Sequence, residues 1–161
     1  MSDTLFIHND PDRCHGKELT LHDCLADKIM YENGILRFYF ADGFWVTPNH
    51  EANSLGKTVR TDASQVDFCM DDISNIGIHV YTQSVFKKTK VEYWDASKLI
   101  DEVNRGKCTI EFIDQYRNDA EQMWRCTLRF KKKPYFKECQ LYIPETTATF
   151  RWNNLRSDRE W

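Results

Sequence analysis

Apolar and polar residues alternate with a period of two over much of this chain, most regularly between Leu19 and Val46, where two such runs flank Glu32-Asn33-Gly34. Asn-Gly between strand-like runs is the strongest short-range signal for a two-residue type I′ hairpin. With Asn33 and Gly34 at the tip, Tyr31 falls opposite Leu36, Ile29 opposite Phe38 and Asp27 opposite Phe40, while Met30 faces Arg37 and Lys28 faces Tyr39. Apolar side chains then meet on one face only, and a slip of one residue would turn them all to water.

The same alternation recurs downstream. In 65–70, Val66, Phe68 and Met70 point inward, Asp67 and Cys69 outward. A strand beginning at Gly77 carries Ile78 and Val80 on one face and His79 and Tyr81 on the other. Because neither face is wholly polar, a central strand is expected there, with His79 a packed core histidine. Lys87 to Lys90 reads as a turn and Val91 to Trp94 as a short strand. Four more alternating segments follow, around Cys108–Phe112, Met123–Phe130, Cys139–Ile143 and Ala148–Trp152, and are expected to form an antiparallel meander with one core face and one wet face.

The period changes once. Ala96, Leu99, Ile100 and Val103 follow i, i+3, i+4, i+7, giving one apolar helical stripe. Asp95 is a good N-cap, Trp94 and Leu99 are placed as a hydrophobic staple, and Gly106 falls where a C′ glycine belongs. The expected fold class is therefore α+β, a mainly antiparallel sheet of about eight strands with one helix packed on it. Between Thr47 and Ala63 no apolar periodicity is visible, and a loop of that length is commonly functional.

At 161 residues and 41% hydrophobic content, one domain spanning 1–161 is expected, with flexible ends at 1–18 and 153–161 and an edge strand drawn from Leu5, Phe6 and Ile7. No apolar run reaches the roughly 20 residues that span a bilayer. Met-Ser-Asp-Thr-Leu does not open like an export signal, so a cytoplasmic protein with six reduced cysteines is expected. The net charge of −3 conceals an asymmetry: residues 1–80 hold 6 Lys/Arg against 13 Asp/Glu, and 81–161 hold 16 against 12. That excess is too small for a nucleic-acid binder, and neither nucleic acid nor membrane is expected as a partner.

Candidate chemistry is sparse. His8, Asp10, Asp12, Cys14 and His15 match no zinc or calcium spacing, and there is no Cys-x-x-Cys pair. Gly56-Lys57-Thr58 mimics the end of a phosphate-binding loop but has Glu51 where the upstream glycine belongs. No metal or other cofactor is expected. His22 and Asp23, adjacent in an extended segment, point to opposite faces and pair only if a bulge turns one of them.

Leu21-His22-Asp23 leading into Ile29, then Asn33-Gly34, Leu36, Phe38 and Phe40, resembles small immunity proteins of bacterial polymorphic-toxin systems and related uncharacterised bacterial domains. The similarity covers about 30 residues. It implies a non-catalytic bacterial protein that works by binding another protein, such as a toxin domain. Two surfaces suit that role: an acidic edge of Asp62, Asp67, Asp71 and Asp72, or a wet sheet face of Arg125, Arg129, Tyr142 and Arg151, since Arg and Tyr are enriched at binding hot spots. Two alternatives stay open. One is a small enzyme or small-ligand-binding protein with a site from His22, His50, Glu51 and His79. The other is a structural or oligomerisation domain.

Overall fold

The fold is taken from a computed structural model that describes residues 5–161; the first four residues of the 1–18 segment lie outside the described residues. In chain order come β1 (His8–Pro11), β2 (Leu19–Thr20), β3 (Cys24–Ala26), β4 (Lys28–Glu32), β5 (Ile35–Phe40) and β6 (Trp45–Val46). Next are β7 (Val59–Thr61), β8 (Ser64–Cys69), a 3-10 turn at Ile73–Asn75, β9 (Gly77–Gln83), β10 (Thr89–Trp94) and α1 (Ala96–Asn104). The chain closes with β11 (Cys108–Arg117), β12 (Glu121–Phe130), β13 (Phe136–Pro144), β14 (Ala148–Trp152) and β15 (Leu155–Glu160).

The α+β class holds, but the described residues form fifteen strands in three antiparallel sheets rather than about eight in one. The orders are β1-β14-β8-β5-β4, β10-β9-β13-β12-β11-β3 and β15-β7-β6-β2. Many of the additional strands are only two or three residues long, too short for a period-2 signal.

The hairpin has the expected register, with Ile29 paired to Phe38 and Tyr31 to Leu36. Asn33 and Gly34 adopt φ of 52° and 73°, as a type I′ turn requires at both central positions. The inner faces of the two larger sheets meet across one continuous core. Phe38 of the five-stranded sheet contacts Phe112 of the six-stranded sheet edge to face, with centroids 5.2 Å apart, an arrangement the ring quadrupoles favour. Cys108, Cys126 and Cys139 serve as small buried residues of this core.

Helix α1 is capped as its sequence predicts: Asp95 accepts from the Lys98 amide at 2.7 Å, and Gly106 takes φ of 67°. Ala96, Leu99 and Val103 are buried. Its last residue, Asn104, closes an edge of the five-stranded sheet, accepting from the Ile29 amide at 2.9 Å and donating to the Ile29 carbonyl at 2.7 Å. The side-chain amide thus gives β4 the pair of bonds a neighbouring strand would.

Four expectations change. The C-terminal meander stops after three strands: β11, β12 and β13 are neighbours, whereas β14 crosses to the other large sheet and lies between β1 and β8. Alternation fixes which face a side chain takes but not which strand lies beside it. The 47–63 segment is not one open loop, because β7 lies within it and buried Asn53 ties its fold. The Asn53 amide donates to the Val46 and Lys57 carbonyls and accepts from the Leu55 amide. The edge strand near the N-terminus is His8–Pro11, just past Leu5–Ile7, whose Leu5 and Ile7 are exposed. Residues 155–160, expected to be a flexible end, are β15, paired with β7.

Candidate interaction surface

The outer face of the six-stranded sheet gathers the most distinctive exposed side chains. Across β10, β9 and β13 the pairings Tyr93 with His79 and His79 with Gln140 set these residues side by side. Two tyrosines converge on one amide: the hydroxyls of Tyr81 and Tyr142 both donate to Gln140 Oε1, at 2.8 and 2.9 Å. His79 packs between Tyr93 and Tyr142, with ring centroids 4.8 and 4.9 Å away. Burial, reinforced by the neighbouring Tyr142 and Tyr93, pushes the Tyr81 phenol above its ordinary pKa, so it stays a donor at neutral pH. At the sheet edge Tyr93 is 75% exposed, although it rests on a ring that is itself held in place.

The same face continues over β12 and β11. Arg129 makes a bidentate pair with Glu111, through Nε at 2.8 Å and Nη2 at 2.7 Å, and lies 5.5 Å from the Phe136 ring centroid. Arg125 pairs with Asp114. These ion pairs tie two guanidiniums to carboxylates on the outer face, beside the Tyr/His cluster. Rigid aromatic and arginine side chains lose little freedom on binding, which is why they anchor interfaces.

Of the four residues expected on one wet face, Arg125, Arg129 and Tyr142 share it. Arg151 does not, because it follows β14 into the other sheet, where its Nε bonds Asp67 at 2.8 Å. Arg37 holds the same carboxylate by two bonds of 2.7 and 2.9 Å. Asp67 is 3% exposed beneath these two arginines, so no acidic edge runs through it. Asp72 caps the 3-10 turn, and hydrogen bonds from Ser74 hold its carboxyl below the usual range. Asp62 is bonded to Asn154, and Asp71 is exposed.

The histidines occupy separate places. His22 lies between β2 and β3, where Asp23 takes a positive φ of 55°; this turns the Asp23 carboxylate to within 3.4 Å of His22 Nε2. His22 Nδ1 donates to the Ile113 carbonyl at 2.7 Å, and the ring stacks on Trp161. His50 is buried; its Nδ1 accepts from the Ala52 amide, which leaves the Nε2 proton directed at Asp10, 3.3 Å away. Trp152 Nε1 also donates to Asp10, at 2.9 Å. Glu51 is exposed, and His79 belongs to the tyrosine cluster described above. No group of three or more metal-ligating side chains forms among the described residues.

No family model, curated protein or solved structure matches the chain.

One concavity was not anticipated. A cleft of about 320 Å³ is lined by Asp12, His15, His22, Gln115, Trp124 and Trp161, among others. Asp12 is buried at its edge, and burial raises its pKa despite the Gly16 amide bond and Arg117 nearby. Its residues come from positions 12–22, 113–124, Phe150 and Trp161, and nothing local in the sequence links these segments.

Proposed function

We propose that this chain is a non-catalytic protein-binding module of the toxin-immunity type, and that its working surface is the outer face of the six-stranded sheet. The observation that carries the reading is the rigid Tyr81/Tyr93/Tyr142/His79 cluster lying beside Arg125 and Arg129 on one open face. Tyr and Arg supply large contact area with a polar tip, and arginines already held in place need little further ordering. The Arg125–Asp114 and Arg129–Glu111 pairs also offer both signs of charge, which favours one partner register over others.

The test is affinity capture from the native host, read against the products of neighbouring open reading frames. Tyr142→Ala with Tyr93→Ala is expected to weaken capture of the specific partner at least tenfold, a loss of about 1.4 kcal/mol or more. Lys28→Ala, on the other large sheet, is expected to change nothing. Equal capture by all three proteins rules out this face.

The cleft beside Asp12 favours a second reading, a small-ligand site. A carboxyl with a raised pKa in a cleft is a common feature of binding sites. Here Asp12→Asn is expected to abolish any ligand-induced rise in melting temperature across a metabolite panel; no rise with the unaltered protein removes this reading.

A further inference from the structure

Positive charge is distributed unevenly by residue type. Nine of the ten arginines make ion pairs, whereas Lys87, Lys88, Lys131, Lys132, Lys133 and Lys137 make none among the described residues. Those six lysines gather at one end of the six-stranded sheet. Tyr81 pairs with Glu138, so two steps further along the antiparallel ladder the end of β9 meets the start of β13. The β9–β10 and β12–β13 turns therefore project side by side. Lys131, Lys132, Lys133 and Lys137 line a shallow concavity of about 430 Å³, whose remaining charged residues, Lys107 and Glu102, pair with each other at 2.7 Å.

The two turns share a pattern. One reads Ser84-Val85-Phe86-Lys87-Lys88 and the other Lys131-Lys132-Lys133-Pro134-Tyr135-Phe136, each an apolar pair beside a lysine run. Bonds between Ser84 and both Lys87 and Lys88 close the first turn and hold its tip outward. Val85 is 98% exposed and Phe86 85% exposed, so neither contributes to the core. Their exposure has no structural purpose within this chain.

We infer that this end docks on an anionic lipid surface, with Val85 and Phe86 entering the headgroup boundary and the lysines lying over acidic headgroups. A convex apolar tip flanked by cations fits a soft interface better than a preformed cavity. Lysine, a hydrated point charge on a long apolar stem, suits diffuse attraction to such a surface, whereas planar recognition of nucleic-acid bases or carboxylates favours arginine. The expectation of no membrane partner rested on the lack of a spanning run, which does not report on a local patch. This mode of docking needs no spanning helix, and among the described residues no helix is long and apolar enough to cross a membrane.

The experiment is co-sedimentation with phosphatidylcholine vesicles prepared with and without phosphatidylserine. Binding is expected only when phosphatidylserine is present, and it should decline as salt shortens the screening length from about 8 Å. Replacing Lys131, Lys132 and Lys133 together by Gln is expected to weaken binding on the order of a hundredfold, at roughly fivefold per lysine. Val85→Ser with Phe86→Ser is expected to weaken it further, with an unchanged circular dichroism spectrum and denaturation midpoint. No partition onto phosphatidylserine vesicles overturns the inference, as does partition that both variants retain in full. Binding to heparin or single-stranded RNA without vesicle partition also overturns it, assigning the patch to a different polyanion. The tyrosine cluster is untouched by these variants, so the outcome is independent of the proposed protein-binding face.

Discussion

Asp67 shows most clearly how a single residue departs from its sequence pattern. As the polar member of an alternating strand it was expected to face water. Arg37 and Arg151 on the two flanking strands cover it instead, and its carboxylate holds three of their N–H groups. Asp67→Asn leaves two half-buried guanidiniums facing a neutral amide, so destabilisation of about 2 kcal/mol is expected in urea denaturation, less than for a fully buried pair because both arginines keep some water. Asp12 has the opposite electrostatic character. Its folded pKa is raised above 3.8, so between 3.8 and the raised value the folded protein binds more protons than the unfolded chain, and stability falls as pH rises through that window. Asp12→Asn removes this dependence. Relative to the original protein, the variant should gain stability as pH increases above 3.8, and the difference should become constant below it, as measured by unfolding free energies across pH. Burial also pushes the thiols of Cys24 and Cys139 up to about 12, which keeps them unreactive at neutral pH.

Elements were legible wherever the signal was local. The Asn33-Gly34 turn fixed the register of β4 against β5, and Asp95 with Gly106 fixed both ends of α1, because turn and cap chemistry act within a few residues. Arg125, Arg129 and Tyr142 were correctly placed on one face because β12 and β13 are joined by a short turn. Arg151 was not, since the fourth strand leaves the meander and no residue near Pro144 records its destination. Tyr81 and Tyr142 converge on Gln140 through a β9–β13 pairing of distant segments, and the Asp12 cleft assembles from four separate stretches. Asn104 belongs to this scale too, since its side chain holds the edge of β4 as a strand would. Asn104→Ala strands the Ile29 amide and carbonyl in a covered position, for an expected cost of about 2 kcal/mol. Hydrogen exchange should show the Ile29 amide losing protection while the Phe38 and Val66 amides keep theirs.

At the scale of the whole molecule, the two large sheets differ in what they leave open. The five-stranded sheet covers its outer face with the Arg37–Asp67–Arg151 cluster, while the six-stranded sheet leaves tyrosines, a histidine and arginines uncovered and gathers unpaired lysines at one end. Recognition is thereby concentrated on a single layer. The position of β14 between β1 and β8 has a consequence for how the protein is made. Asp10 and Trp152, bonded across this sheet, are 142 residues apart, and Asp67 and Arg151 are 84 apart. A nascent chain that has emerged through β13 still lacks the strand that joins these two, so β1 has no neighbour and one edge of β8 stays bare. Until the five residues of β14 have been made the half-sheet keeps an open, adhesive edge, and its closure waits on them.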